Sequence, residues 1–339
     1  MNLLLLWLLF IISTSTILYS GSRLSKYADI ISEKTGLGRV WIGVVLLAFV
    51  TSVPEIVTGL SSVLIFDTPD IAAGDVFGSC VFNMLIISIL DIFDRASPIS
   101  SRVHQRHTLS AGFGILLLLI VAAGTFLSST QTGVPAAIGW IGIYTPLVIF
   151  VYLFAMKLIF YHEKREIAAF IKEKTEELKY EKITKKQVYL NFSLNAVVVV
   201  IAAVFLPVIG KSIAEITGLG QTFVGNVLIA VSTSLPEVVV SVTALKIGAG
   251  DMAIGNLFGS NIFNIGTLAI DDIFYVKGPL LSYIEPSHIF SALSAVTMMV
   301  IAVIGLTYRA RKKTLFMSWD AMAIAAVYIL NLMVLYKLR

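Results

Sequence analysis

One block of some fifty residues is written twice in this chain. Val40 to Phe93 reads VWIGVVLLAFVTSVPEIVTG, then DIAAGDVFGSCVFN, then DIF, and Gln221 to Phe274 reads QTFVGNVLIAVSTSLPEVVVS, then DMAIGNLFGSNIFN, then DIF. The offset is 182 residues through Glu55 and Glu237 and 181 through Asn83 and Asn264, so a one-residue indel falls in the connecting loop. Each copy sets Thr-Ser-x-Pro-Glu in the middle of an apolar run. An ionised carboxylate at such depth is costly, so a matched pair of them points to function.

The apolar runs exceed what one water-soluble core could use: 57% of the 339 residues are hydrophobic, 14% are charged and the mean hydropathy is +0.90. Lipid is therefore the expected solvent. Runs of about 20 apolar residues, enough to cross a bilayer, are read at 2–19, 40–65, 71–93, 108–128, 134–156, 188–208, 222–245, 252–274, 286–306 and 316–336. The first lacks the basic start of a signal peptide and counts as a span. Each copy then supplies the second and third spans of a five-span half. Five is odd, so the second half sits upside down relative to the first, an arrangement that recurs in secondary transporters with a midplane site. The expected fold class is an all-α membrane protein of ten transmembrane helices in two inverted-topology five-helix repeats: 1–160, a charged cytosolic linker 161–187, and 188–339. Within that linker, His162–Gln187 has the charge pattern of a short amphipathic helix.

Lys and Arg favour the cytosolic side of a membrane. Of the 25 in the chain, 21 fall in 20–39, 94–107, 157–187, 246–251 and 307–315, leaving Lys211, Lys277, Lys337 and Arg339 opposite. Both termini are thus expected outside, in a multi-pass protein of the plasma (inner) membrane. The net charge of +4 is a topology signal, and no nucleic-acid partner is implied. Cys80 stands alone, which excludes a disulfide framework. His104, His107, His162 and His288 lack metal-ligand spacing.

On a helix Thr51 and Ser52 share a face with Glu55, as Thr233 and Ser234 do with Glu237. Pro54 and Pro236 disrupt the preceding turn, so carbonyls near Ala48–Thr51 and Ala230–Thr233 are candidates for release as ligands. Gly-Ser-x-x-Phe-Asn adds Ser79 with Asn83 and Ser260 with Asn264, each pair at i, i+4, beside Gly78 and Gly259, which allow close helix approach. Carboxylate, hydroxyl, amide and carbonyl oxygens suit a hard cation such as Ca2+, whereas zinc or copper would want His or Cys. The bland alternative for Ser-x-Pro-Glu is an ordinary helix start. For the serines and glycines taken singly it is helix packing. Asp91, Asp94, Asp271 and Asp272 fall at span ends, where interfacial or helix-dipole roles are expected. Asp70, Asp75 and Asp251 flank spans as helix starts, solvated loop residues or cation funnels.

At these motifs the chain resembles the prokaryotic-type sodium/calcium exchanger family of the cation/calcium antiporter superfamily. The resemblance implies a ten-helix transporter in which Ca2+ and Na+, as substrates, compete for one central site while the first and sixth spans slide. It implies no cofactor, no enzymatic activity and a monomeric transport unit in a lipid bilayer. Carried over by position, Glu55 and Glu237 are the central carboxylates, joined at Ca2+ by the Thr51 and Thr233 backbone. Ala48 and Ala230 carbonyls with Ser52, Ser79, Asn83, Ser234, Ser260 and Asn264 serve mainly Na+. Val50, Ser232 and Cys80 depart from the family's motif, and Asn264 stands where many members carry a third carboxylate. A proton-coupled Ca2+ antiporter is the alternative, since a buried Glu can titrate near neutrality; an uncoupled cation channel is the more distant one.

Overall fold

The computed structural model describes residues 2–35, 49–94, 97–130, 137–171, 184–246, 248, 250–314 and 316–338. Apart from a two-residue hairpin, Ala137–Ile138 with Ile141–Gly142, and one bridge between Thr314 and Met317, the regular structure among them is helical. The first half contains α1 (Leu3–Thr35), α2 (Val53–Ser61, continued by a π-helical turn Ser62–Phe66), α3 (Pro69–Phe93), α4 (His107–Ser129) and α5 (Tyr144–Ile171). The second contains α6 (Lys185–Val204), α7 (Leu206–Thr217), α8 (Gln221–Val224, continued by a π-helical turn Gly225–Ile229), α9 (Ala230–Thr233), α10 (Leu235–Lys246), α11 (Gly250–Phe274), α12 (His288–Tyr308) and α13 (Trp319–Leu338). Among the described residues, eight helical segments are long and apolar enough to cross a membrane, and the bent run from α8 to α10 makes a ninth if counted as one span. The expected second span begins on residues that lie outside the described ones; the apolar helix described within it, Val53–Phe66, is too short to span alone.

Two boundaries differ from expectation. The fifth span starts at Tyr144 instead of 134, because the hairpin turns on Gly139 at φ 68 and Asp272 fixes the start of α5 by accepting from Gly142 N–H and the Thr145 hydroxyl. Helix α5 then runs unbroken to Ile171, so the front of the charged linker continues a span instead of forming its own helix; residues 172–183 lie outside the described ones.

At about 1.5 Å per residue, 25-residue helices reach ~37 Å and cross a hydrocarbon core of about 30 Å completely. Helices α3 and α11 have that length and form the centre, each 78% buried across its span against 17% for the α1 span. They run antiparallel. The entry to α3 meets the exit of α11 through Lys277 Nζ and Asp67 Oδ2 at 2.6 Å, while the entry to α11 meets the segment beyond α3 through Asp251 and His104. Phe77 and Phe258, at matching places in the two copies, are the largest fully buried side chains among the described residues. Helix α1 packs along α6 at the periphery.

Candidate functional site

Both Thr-Ser-x-Pro-Glu motifs break their helices at the same residue. Ser52 (φ −88, ψ 8) and Ser234 (φ −87, ψ 7) leave the helical region almost identically, and the chain bends by 45° at the second break. The cause is the proline two residues on, which has no N–H for the preceding turn and whose ring crowds it. Ser52 does not cap the new helix with its side chain, which argues against an ordinary helix start. The next helix instead begins in the protein interior, with Glu55 and Glu237 in the first turns of α2 and α10. There the unpaired N–H groups favour negative charge.

Close glycine contacts bring the third spans up to these breaks. Gly74 of α3 faces Gly225: a Cβ on Gly74 would come within 2.9 Å of Gly225 Cα. One turn later a Cβ on Gly78 would come within 2.6 Å of Asn226 Cα and the Ala230 Cβ. With that approach, the Ser234 hydroxyl lies 3.0 Å from Glu55 Oε1 and 2.9 Å from Ser79 Oγ. Thr51 and Ser52 approach Glu237 in turn, and Ser260 Oγ is 3.4 Å from Glu237 Oε1. Each glutamate thus meets hydroxyls of the opposite copy.

Of the residues expected in the site, Glu55, Glu237, Thr51, Thr233, Ser52, Ser234, Ser79, Ser260, Asn83, Asn264 and Ala230 are all buried; Ala48 lies outside the described residues. Glu55 Oε2 and Glu237 Oε2 make no hydrogen bond. Asn83 Nδ2 donates to Asn261 Oδ1 at 3.0 Å, and Asn261 Nδ2 to the Cys80 carbonyl at 3.2 Å, so the two asparagine layers lock to each other. The Ala230 carbonyl is engaged, accepting from Ser234 N–H at 3.1 Å and the Thr233 hydroxyl at 3.2 Å.

Asp75, Asp91, Asp271 and Asp272 are all fully buried, which differs from expectation. Asp75 is fully buried, and its Oδ1 accepts from the Thr233 hydroxyl at 2.8 Å. The i, i+4, i+8 spacing of Asp75, Ser79 and Asn83 held that signal, obscured by the residue's nearness to the span's start. Asp91 and Asp272 are buried scaffold groups. Asp91 accepts from Ile99 N–H at 2.8 Å and Ser318 N–H at 2.7 Å; Asp272 accepts from Leu280 N–H at 2.6 Å. Ile99 and Leu280 each sit eight residues beyond the aspartate they bond. At the water faces Asp70 Oδ1 meets His288 Nε2 at 3.1 Å and Glu285 N–H at 2.7 Å. Correspondingly, Asp251 Oδ1 meets His107 Nε2 and His104 N–H, each at 2.9 Å. The three positions of the first clasp match those of the second at an offset of 181, with Glu285 standing where the other has His104.

Among the described residues no three His, Cys, Asp or Glu side chains converge to hold a metal ion. A cation here would be coordinated by the two glutamates together with neutral oxygens, a donor set for hard cations.

The family profile described as "Sodium/calcium exchanger protein" matches residues 5–156 and 188–337, and the unmatched interval is the charged segment. The chain is 27% identical over 257 residues, 76% of each protein, to the Inner membrane protein YrbG of Escherichia coli (strain K12). It is 32% identical over 146 residues to the Sodium/calcium exchanger MaX1 of Methanosarcina acetivorans, covering 42% of this chain and 39% of that one. Among solved structures, the sodium-calcium exchanger NCX_Mj is similar with a TM-score of 0.60 and 21% identity over 98% of this chain and 99% of that one. Native YfkE is similar with a TM-score of 0.66 and 17% identity over 97% and 92%. At those identities the likeness is one of fold.

Proposed function

Given that the chain belongs to the sodium/calcium exchanger family, we propose that it is a secondary active antiporter, exchanging Ca2+ for Na+ by alternating access at the two helix breaks. The observation that carries this reading is the pair of buried glutamates, one from each copy, each facing hydroxyls of the other and each keeping one unbonded oxygen. Their two negative charges balance one Ca2+ or two Na+. A site that cannot hold both loads at once couples their movements by competition.

The architecture that goes with this function is ten helices in two inverted halves, 1–160 and 188–339, with 161–187 and the other basic loops cytosolic and both termini outside. Antiparallel α3 and α11 support it, as do the clasps and carboxylate contacts that recur at an offset of 181. Thr51, Thr233, Ser52, Ser234, Ser79, Ser260, Asn83, Asn264 and the Ala48 and Ala230 carbonyls supply the neutral oxygens. The Ala230 carbonyl must release the bonds it now accepts before it serves. The protein acts as a monomeric transport unit of the plasma membrane, without catalytic residue or cofactor.

The test is radioactive Ca2+ uptake into proteoliposomes loaded with Na+, K+ or acidic buffer. Uptake that requires internal Na+, and that vanishes in Glu55→Gln and in Glu237→Gln, is the expected result. Uptake driven by a proton gradient alone would replace Na+ with H+ as the driver, and uptake indifferent to both substitutions would remove the site.

A further inference from the structure

Adjacent carboxylates at the end of α11 have opposite fates. Asp272 is fully engaged: Oδ1 accepts from Leu280 N–H and from the Tyr144 hydroxyl at 2.5 Å, and Oδ2 from Gly142 N–H at 2.8 Å and the Thr145 hydroxyl at 2.6 Å. Asp271 is equally buried, at 0% exposure, and neither of its oxygens has a hydrogen-bond partner. A carboxylate so placed needs a counter-charge or a proton to be tolerated. It is aimed at α2. A Cβ on Gly59 would lie 2.7 Å from Asp271 Oδ1, so the carboxylate rests on the bare backbone of that glycine. Gly59 is one helical turn, about 6 Å, beyond Glu55.

Four further observations converge on the same place. Asp75 is close enough to Asp271 for the two to repel, and its Oδ2 is also unpartnered. The Thr58 and Ser62 hydroxyls, on the turns flanking Gly59, are fully buried without partners. Asn256, Ser260, Asn264, Thr267 and Asp271 line one face of α11 at i, i+4, i+8, i+11 and i+15, a polar stripe that leads from the second copy's motif to this point. Beyond it, Asp67, Lys277 and Tyr275 form a hydrogen-bonded group at the water face.

We propose that Asp75 and Asp271, with the Thr58 and Ser62 hydroxyls, form a second cation station, an all-oxygen site for a hard alkali or alkaline-earth cation. It lies between Glu55 and the face that carries Asp67 and Lys277. The duplication does not supply it on the opposite side, where the matching residues are Asn256 and Leu90. The station therefore loads cations at one face only, the outer face in the topology proposed above.

Equilibrium binding of radioactive Ca2+ and of radioactive Na+ to the purified full chain in detergent micelles tests it without requiring transport. In the Glu55→Gln/Glu237→Gln double variant the central pair is disabled. Binding of at least one of the two ions is expected to persist, on the order of millimolar as for weakly held Ca2+. Adding Asp271→Asn or Asp75→Asn should weaken that residual binding by roughly tenfold, whereas Asp271→Glu, which keeps the charge, should retain it and controls for folding. A double variant that binds neither ion, or residual binding indifferent to Asp271→Asn, would overturn the station. Failure of exchange in the unmodified protein would overturn the exchange reading and leave this result standing.

Discussion

The two copies of the repeat agree in their scaffold and disagree in their charge. Scaffold contacts follow the 181-residue offset closely: Asp70 with His288 against Asp251 with His107, Asp91 with Ile99 against Asp272 with Leu280, and the near-identical backbone at Ser52 and Ser234. Other positions of the repeat have diverged, with Asp75 against Asn256, Cys80 against Asn261 and Leu90 against Asp271. Helix positions are thus fixed by contacts that tolerate little change, because Asp91, Asp272, His107 and His288 are buried polar groups left stranded if their partners are lost. On the proposed reading the partner along the stripe is a mobile cation, and charge there is free to drift. In this chain the drift has put both extra carboxylates on the same side of the glutamates.

The comparison is broken most severely at the glutamates. Glu55→Gln and Glu237→Gln should each lower Ca2+ uptake by about 100-fold or more, beyond the 10–100-fold typical of removing a mere supporting group. A tenfold gap between the two would show that the copies do not share the load. Next comes the exchange of unlike residues: Asn256→Asp should tighten equilibrium cation binding by roughly tenfold, about 1.4 kcal/mol, and no change would mean that the second copy's stripe does not meet the ion. Smaller again is the clasp pair. His107→Ala and His288→Ala should each cost about 1 kcal/mol, seen as matched drops in melting temperature; a drop in one alone would make the clasps unequal. Least of all is the exposed Asp67–Lys277 bridge, which has no counterpart among the described charged pairs of the other face and whose removal by Lys277→Gln should cost under about 0.5 kcal/mol. The Lys277 ammonium, hydrogen-bonded to Asp67, holds that carboxyl below its ordinary value. Its small contribution is therefore present at neutral pH and lost as pH falls through the depressed folded value. A melting temperature equally sensitive to Lys277→Gln at acid and neutral pH would contradict this.

Much of this was legible before any coordinates. The duplication located both helix breaks because proline and glutamate inside apolar runs have few other uses, and the Gly-Ser-x-x-Phe-Asn spacing identified which face of α3 and α11 turns inward. What the sequence hid was mostly acidic. Asp75 sits six residues into its helix, and distance from a span's end does not reveal that the neighbouring α9 covers it; Thr233 does that, from 158 residues away. Asp271 and Asp272 read alike as neighbours at a span end, yet the 100° step of a helix points one at Gly59 and the other at the start of α5. The late start of the fifth span was hidden for a similar reason: Ala137 to Gly142 is apolar enough to count toward a span, and Asp272, far along the chain, helps decide where the helix begins.

The clasps also bear on how the protein is made. Asp70 leaves the ribosome 218 residues before His288, and His107 leaves it 144 residues before Asp251. Because chains grow at about 5–20 residues per second, the first half waits many seconds in the bilayer with both of its straps unfastened. Neither strap can close early by local pairing, so assembly is completed only as the final helices arrive. Insertion machinery must therefore shelter an open intermediate, and the two halves produced as separate polypeptides should find each other in the membrane through the same two fastenings.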